Sequence, residues 1–281
     1  MSESSSSTTQ KPFGGRWTYA VLIVAVLFVS MPFLFWNATW FGRPLTDDQI
    51  AKAFQDRKHA REIQHALTQI EQRIEKNDPT VRRWYPQLVT FANDPLPEIR
   101  VTDAWLMGQD ATAPEFHDAL RNMLADADPM VARNAALSLV RFGDASGHAV
   151  IVSMLAPFAV PAPNPGVLRQ RLKPGETVNP GTMIGHVDSN GESREVRVKV
   201  PGTIVNWTAA DKSTVTEGQT ILLLAPSQEM VWEALRALFL IGQPEDLPSI
   251  APYARGAEGM PPQIQQQAKL TLEQIQSRNS H

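Results

Sequence analysis

Apolar residues follow three different rhythms along this chain. From Trp17 to Phe41 they run almost unbroken, as WTYAVLIVAVLFVSMPFLFWNATWF, with no charged residue. From Ile63 onward they recur at helical spacing: Ile63, Leu67, Ile70 and Ile74 form one stripe on a helix face. Between about 157 and 226 they alternate with polar residues in short runs separated by Gly and Pro, the rhythm of strands and turns.

The first run predicts a single transmembrane helix within an anchor over 16–42. Its 25 residues as a helix reach about 37 Å, against a hydrocarbon core of about 30 Å. Trp17 and Tyr19 stand at one end, Trp36 and Trp40 at the other, where amphipathic rings favour the interface. A cleaved signal peptide is the rival reading. It needs a shorter apolar core and a small-residue exit, whereas Phe33, Phe35 and Trp36 are bulky. Lys11 and Arg16 precede the helix and Arg43 and Lys52 follow it, so counting cations nearly ties. The expectation is a disordered cytoplasmic tail over 1–15, an inner-membrane anchor and a periplasmic location for the bulk of the chain.

The helical rhythm repeats. Leu88, Leu120 and Val152 are 32 apart, as are Phe91, Met123 and Leu155, and Ile99 and Val131. Such a period marks stacked helix pairs, each burying its apolar face on its neighbours. Asp47 or Asp48 is expected to cap the first of these helices, and Asn77-Asp78-Pro79 to end it. Asp128-Pro129 supplies a cap and a first-turn proline, followed by Val131, Ala135, Ala136, Leu139 and Phe142, with Gly143-Asp144 closing the helix. Asp94-Pro95 sits two residues too far upstream to start the preceding copy in the same way. Ala135, Leu139, Phe142 and Gly143 reappear 99 residues later as Ala234, Leu238, Ile241 and Gly242; Met230, Ala234, Leu238 and Ile241 reappear 34 later as Ile264, Ala268, Leu272 and Ile275. The DP-x-V-x-x-x-AA-x-x-L-x-x-FGD string resembles HEAT repeats of the short bacterial type. The resemblance implies a helical solenoid over 47–156 that resumes over 227–281.

The β stretch contains its own duplication. Gly166 matches Gly202 at 36, and Val178, Gly181 and Ile184 match Val215, Gly218 and Ile221 at 37. Asn190-Gly191 joins the halves as a hairpin signal. This pattern resembles the barrel-sandwich hybrid of biotinyl and lipoyl carrier domains and of membrane-fusion (adaptor) proteins. Carrier domains present a modified lysine at the tip between the halves. The matching tip is Ser189-Asn190-Gly191-Glu192-Ser193, and no lysine lies between Lys173 and Lys199. A swinging-arm cofactor is therefore not expected. LKPGETVNPGTMIGHVDSNGES also resembles lysostaphin-like zinc peptidases, but where those continue with His-x-His this chain has Arg194-Glu195-Val196-Arg197-Val198. His186 alone cannot hold a catalytic zinc.

Composition narrows the remaining chemistry. The chain has 281 residues and a formal net charge of -3, so charge does not point to nucleic acid. It has no cysteine, which removes disulfides and thiolate chemistry. The other histidines are His59, His65, His117, His148 and His281. Glu62 and His65 have the spacing of a di-iron ligand pair, but the motif occurs once and such sites need two. His117 and His148 are read as surface residues, and Trp84, Tyr85 and Trp105 as packing between repeats; Trp207 is either core or an exposed contact. Asn37-Ala38-Thr39 fits a glycosylation sequon inside the anchor.

The sequence thus predicts a multidomain chain: one transmembrane helix and a HEAT-like solenoid interrupted by a small all-β module over 157–226. Expected are no catalytic, cofactor or metal site residues, no enzyme activity, no small-molecule substrate and no nucleic acid. The functional expectation is a membrane-anchored scaffold for protein partners. The alternative is an accessory component of an envelope export or efflux complex.

Overall fold

The computed structural model describes residues 16–38, 44–189 and 191–278, with side chains of the first helix described at Tyr19 and 21–31. The tail over 1–15, Trp40, Asn190 and His281 lie outside the described residues, as do the side chains of Trp17, Trp36 and the sequon. Two compact units are present, Met1–Lys52 and Ala53–His281.

The first unit contains helix α1 (Arg16–Ala38). Among the described residues no helix is long and apolar enough to cross a membrane. Within α1, Phe28 is 80% exposed and Val26, the least exposed of its described large apolar side chains, still 54%. Helix α2 (Asp47–Gln55) starts in this unit. Its cap is Thr46 rather than Asp47 or Asp48: the Gln49 N–H donates to Thr46 Oγ1 at 3.3 Å and the Thr46 N–H to Gln49 Oε1 at 2.9 Å.

The helical run expected after the anchor is broken before α3 (Ala60–Glu75). Asp56 causes the break. Its carboxylate accepts the Lys58 N–H at 3.1 Å and pairs with His59 Nδ1 at 2.8 Å, a side-chain alternative to the helix ladder. The α3 stripe of Ile63, Leu67, Ile70 and Ile74 is buried as its spacing predicts. Asp78 then caps a 3-10 turn (Pro79–Trp84) that leads into α4 (Tyr85–Phe91).

Next come α5 (Pro97–Met107), α6 (Pro114–Met123), α7 (Pro129–Arg141) and α8 (His148–Ser153). Each of α5, α6 and α7 begins on a proline, where the missing N–H costs nothing. Pro97, not Pro95, starts α5; Asp94 instead turns the preceding loop by accepting the Leu96 N–H at 3.0 Å. After the β region follow α9 (Gln228–Ile241), α10 (Leu247–Ala254) and α11 (Pro262–Arg278). Alternate helices stack: α3 on α5, α5 on α7, α7 on α9 and α9 on α11. The stack therefore continues across the insertion. The Tyr253 hydroxyl donates to the Leu155 carbonyl at 2.7 Å, and Ile151, Met154 and Leu155 share one core with Val231, Leu235 and Ile250.

All eight described strands lie between Phe158 and Pro226. They are β1 (Phe158–Pro161), β2 (Gly166–Gln170), β3 (Thr177–Val178), β4 (Met183–Ser189), β5 (Glu192–Arg197), β6 (Gly202–Trp207), β7 (Thr214–Val215) and β8 (Thr220–Pro226). They form two small four-stranded antiparallel sheets, ordered β1-β8-β6-β3 and β5-β4-β2-β7, one of them a half-barrel. Each half of the duplication contributes a long-short-long triple, and the short strands are exchanged: β3 pairs with β6, and β7 with β2.

The recurring glycines have a backbone cause. A Cβ on Gly166 would stand 2.3 Å from the Asp188 carbonyl, and one on Gly202 the same distance from the Ala225 carbonyl. Gly181 and Gly218 share a left-handed φ, +85° and +76°, which favours glycine. The β core of Leu168, Ile184, Val187, Ile204 and Ile221 receives Met130 from α7, so helix and sheet pack together.

Candidate functional site

A groove of about 1280 Å³ lies between the start of α7 and the β region. Consecutive residues 158–161 of β1 and 192–197 of β5 line it. Both strands are sheet edges, one from each sheet. Phe158, Val160 and Val196 give the groove an apolar component, with Val160 and Val196 buried.

Its charged side chains differ in how they are satisfied. Arg100 holds Asp126 through two bonds of 2.7 and 2.8 Å, and the guanidinium keeps that carboxyl below its ordinary range. Arg197 pairs with Glu195 at 2.7 Å and also donates to the Gly181 carbonyl at 2.6 Å. Arg194 and Lys199, by contrast, donate to the carbonyl oxygens of Pro163 and Ala127, at 3.3 and 3.4 Å. Lys199 also lies close enough to Asp126 to help hold that carboxyl down.

The sequence-predicted residues are dispersed. His59 is exposed, and its hydrogen bond to Asp56 raises its pKa. His65 is partly buried on α3, and burial lowers its pKa. His186, partly exposed on strand β4, lies 3.6 Å from Asp188. Among the described residues, no three His, Asp or Glu side chains stand close enough to hold a metal.

His117 and His148 correct the surface reading. His117 Nε2 lies 2.8 Å from Asp144 Oδ2, and His148 Nε2 lies 2.7 Å from Asp246 Oδ2, with each imidazole mostly shielded. The Tyr85 hydroxyl makes the same kind of bond to Asp110 at 2.6 Å; burial first, then that carboxylate, pushes the phenol up. These three bonds tie one helix pair to the next. Sequence reasoning missed their aspartates. A signal existed: Asp78-Pro79-Thr80, Asp110-Ala111-Thr112 and Asp144-Ala145-Ser146 repeat at 32 and 34 residues. In each, the carboxylate accepts the N–H two residues on.

The aromatic residues pack as expected. Trp105 Nε1 donates to Glu71 at 2.8 Å, with Arg141 stacked 4.9 Å from its ring centroid. Trp84 meets Phe54 edge-on at 5.6 Å. Trp207 resolves as a half-buried wall of the β core, its Nε1 donating to the Leu172 carbonyl at 3.0 Å.

Two buried charges stand apart. Asp103 on α5 is fully buried, and neither carboxyl oxygen has a hydrogen-bond partner. Burial, aided by the Asp94 carboxylate, raises its pKa well above the ordinary value. Arg133 is buried at 4% exposure. It meets the sulfurs of Met230 and Met130 and the face of Phe158 rather than a carboxylate. Burial pulls it down to about 10, still charged at neutral pH.

No protein-family model and no curated protein matches the chain.

Proposed function

We propose that this chain is a membrane-anchored, non-enzymatic scaffold that binds protein partners. In this reading α1 is the anchor, the helical stack is a HEAT-like solenoid, and the β region is an unmodified lipoyl-like module serving as a docking unit on the periplasmic side of the inner membrane. The observation that carries the docking role is the open groove lined by two sheet edges, one from each sheet. The anchor rests on α1, whose described apolar side chains are exposed along the whole run from Val21 to Val29. Only lipid or another apolar surface satisfies such a helix.

Two measurements test this. Under alkaline wash the full chain stays with membranes, and a chain beginning at Gly42 does not; release of the full chain would remove the anchor. Affinity capture from solubilised membranes with residues 157–226 deleted should lose partners. An unchanged partner set would remove the docking role. A reporter active only outside the cytoplasm, fused after His281, reads the orientation.

A further inference from the structure

Arg133 on α7 is buried, yet among the described residues no oxygen accepts from its guanidinium. Its Nη1 donates to two thioethers instead, Met230 Sδ at 3.2 Å and Met130 Sδ at 3.8 Å. A thioether is a weak acceptor. Asp128 is the carboxylate whose charge reaches Arg133, but no ion pair joins them among the described residues, and its Oδ1 accepts the Met130 N–H at 2.9 Å. The buried cation therefore keeps hydrogen-bonding capacity that its surroundings do not satisfy.

The two sulfurs differ in how they can meet that demand. One oxygen added to a thioether makes a sulfoxide, which is polar where the thioether was not. When such an oxygen accepts a charge-assisted bond of about 2.8 Å, the nitrogen and the sulfur stand just under about 4 Å apart. Met130 already keeps that separation, whereas Met230 is too close to admit an oxygen between them. Access divides them in the same way, since Met130 is half-buried and Met230 buried. Met130 also packs on the β core, Met230 belongs to the core that α9 completes, and Arg133 lies over the ring of Phe158. An oxygen on Met130 thus falls where α7, α9 and β1 meet.

We propose that Met130 is an oxidation site whose sulfoxide is held by Arg133. The oxidant is a hydroperoxide. The sulfur lone pair attacks one peroxide oxygen, and the S–O bond forms as the O–O bond breaks. The proton on the transferred oxygen passes to the departing one. Sulfur loses two electrons and the peroxide gains them; with hydrogen peroxide the leaving molecule is water. A sulfoxide ordinarily disrupts a core. Here it replaces a weak contact of a buried cation with a charge-assisted bond, so peroxide tightens the junction between the helical stack and the β region. The inference is independent of the docking reading above.

The test treats the full chain in detergent with dilute hydrogen peroxide, locates the added oxygen by peptide mass spectrometry and follows denaturant unfolding. Met130 should take up oxygen at least about tenfold faster than the buried Met230. Four chains separate Met130 from the other methionines: the unaltered chain, Met130→Leu, Arg133→Leu and the double variant. Leucine conserves the volume of methionine, so Met130→Leu keeps the packing. Measured against Met130→Leu under the same treatment, oxidation of Met130 should leave the unfolding midpoint unchanged or raise it. In the Arg133→Leu background the same oxidation should lower it. A methionine sulfoxide reductase should clear the oxygen at least about tenfold faster from the Arg133→Leu chain than from the unaltered one. The proposal is overturned if Met130 stays reduced until the chain unfolds, if its oxidation lowers the midpoint whether or not Arg133 is present, or if the reductase clears both chains at one rate.

Discussion

The helical stack and the β region are both built from internal repeats, but they hold those repeats together by different means. In the stack, neighbours are tied by side chains. Arg57 reaches Asp94, Arg100 reaches Asp126, and Tyr85, His117 and His148 reach Asp110, Asp144 and Asp246. In the β region the halves are tied by backbone: short strands are exchanged, and glycines let carbonyls approach closely. Side chains absorb small errors of spacing, so the stack tolerates repeats of 32 and 34 residues. A strand register does not, because a one-residue slip turns every side chain to the wrong face. The β halves differ by a single residue, 36 against 37, and β6 carries a bulge between Ile204 and Asn206.

That contrast predicts where substitution does most harm. The largest loss should come from Gly202→Val, whose Cβ would meet the Ala225 carbonyl at 2.3 Å. Stability should fall by about 3 kcal/mol or more in denaturant unfolding. A loss near that of an average surface substitution would break the backbone account of the β repeat.

Second, Arg100→Met strands the largely shielded Asp126 and should cost about 2–3 kcal/mol. Arg133→Met removes a buried cation that has no carboxylate, and should change stability by less than about 1 kcal/mol or raise it. Equal losses from the two variants would show that the ladder is not what Arg100 contributes.

Third, Asp103→Asn should raise stability at neutral pH by about 1–2 kcal/mol, since burial penalises the ionised carboxylate and an amide carries no charge. The pH dependence sharpens this. The folded pKa of Asp103 lies above its unfolded value, so the native state binds the proton more tightly. Its contribution is fully present below about pH 4 and is lost as pH rises through the folded pKa. Asp126 and Asp110 act oppositely, their lowered values making them stabilising above about pH 4. Above about pH 5, then, the unaltered chain should lose stability with rising pH more steeply than the Asp103→Asn chain. Parallel curves would reject the raised pKa of the buried carboxyl.

A modest loss is expected from His148→Ala, which removes one bond to the buried Asp246 and should cost about 1–2 kcal/mol in the same unfolding measurement. His117→Ala should cost less, because Asp144 is more exposed and also has Arg121 within 3.9 Å. A larger loss at His117 would mean that the ladder is not graded by burial.

Much of the architecture was legible because it is written in spacing. The Asp128-Pro129 start of α7, the α3 stripe and the 37-residue echo of Gly181 in Gly218 all depend on local sequence, and the structure has each of them. The break at Asp56–His59 was not legible, since it turns on a side chain outcompeting a helix that the apolar pattern alone would continue. The histidine pairs were hidden by distance: His148 and Asp246 lie 98 residues apart because the β region intervenes. The groove was invisible for a further reason. Nothing in the amino-acid pattern of β1 or β5 tells that both would be edges, or that the edges would face one space.

Phe158 has a consequence for how this chain is made. It stands 32 residues after Asp126, as Asp126 stands 32 after Asp94, so it takes the next carboxylate's place and Arg133 lies over its ring. At that point the chain leaves the stack, and α8 must wait for α9. At about 5–20 residues per second, a ribosome needs about 4–14 seconds to deliver the intervening seventy-odd residues. During that interval Ile151, Met154 and Leu155 form a bare apolar end face. The β region, whose strand pairings all lie within those residues, can close first. It thereby brings the growing chain back to the place where α9 completes the core, and the nascent protein is most exposed to aggregation in the seconds before it does.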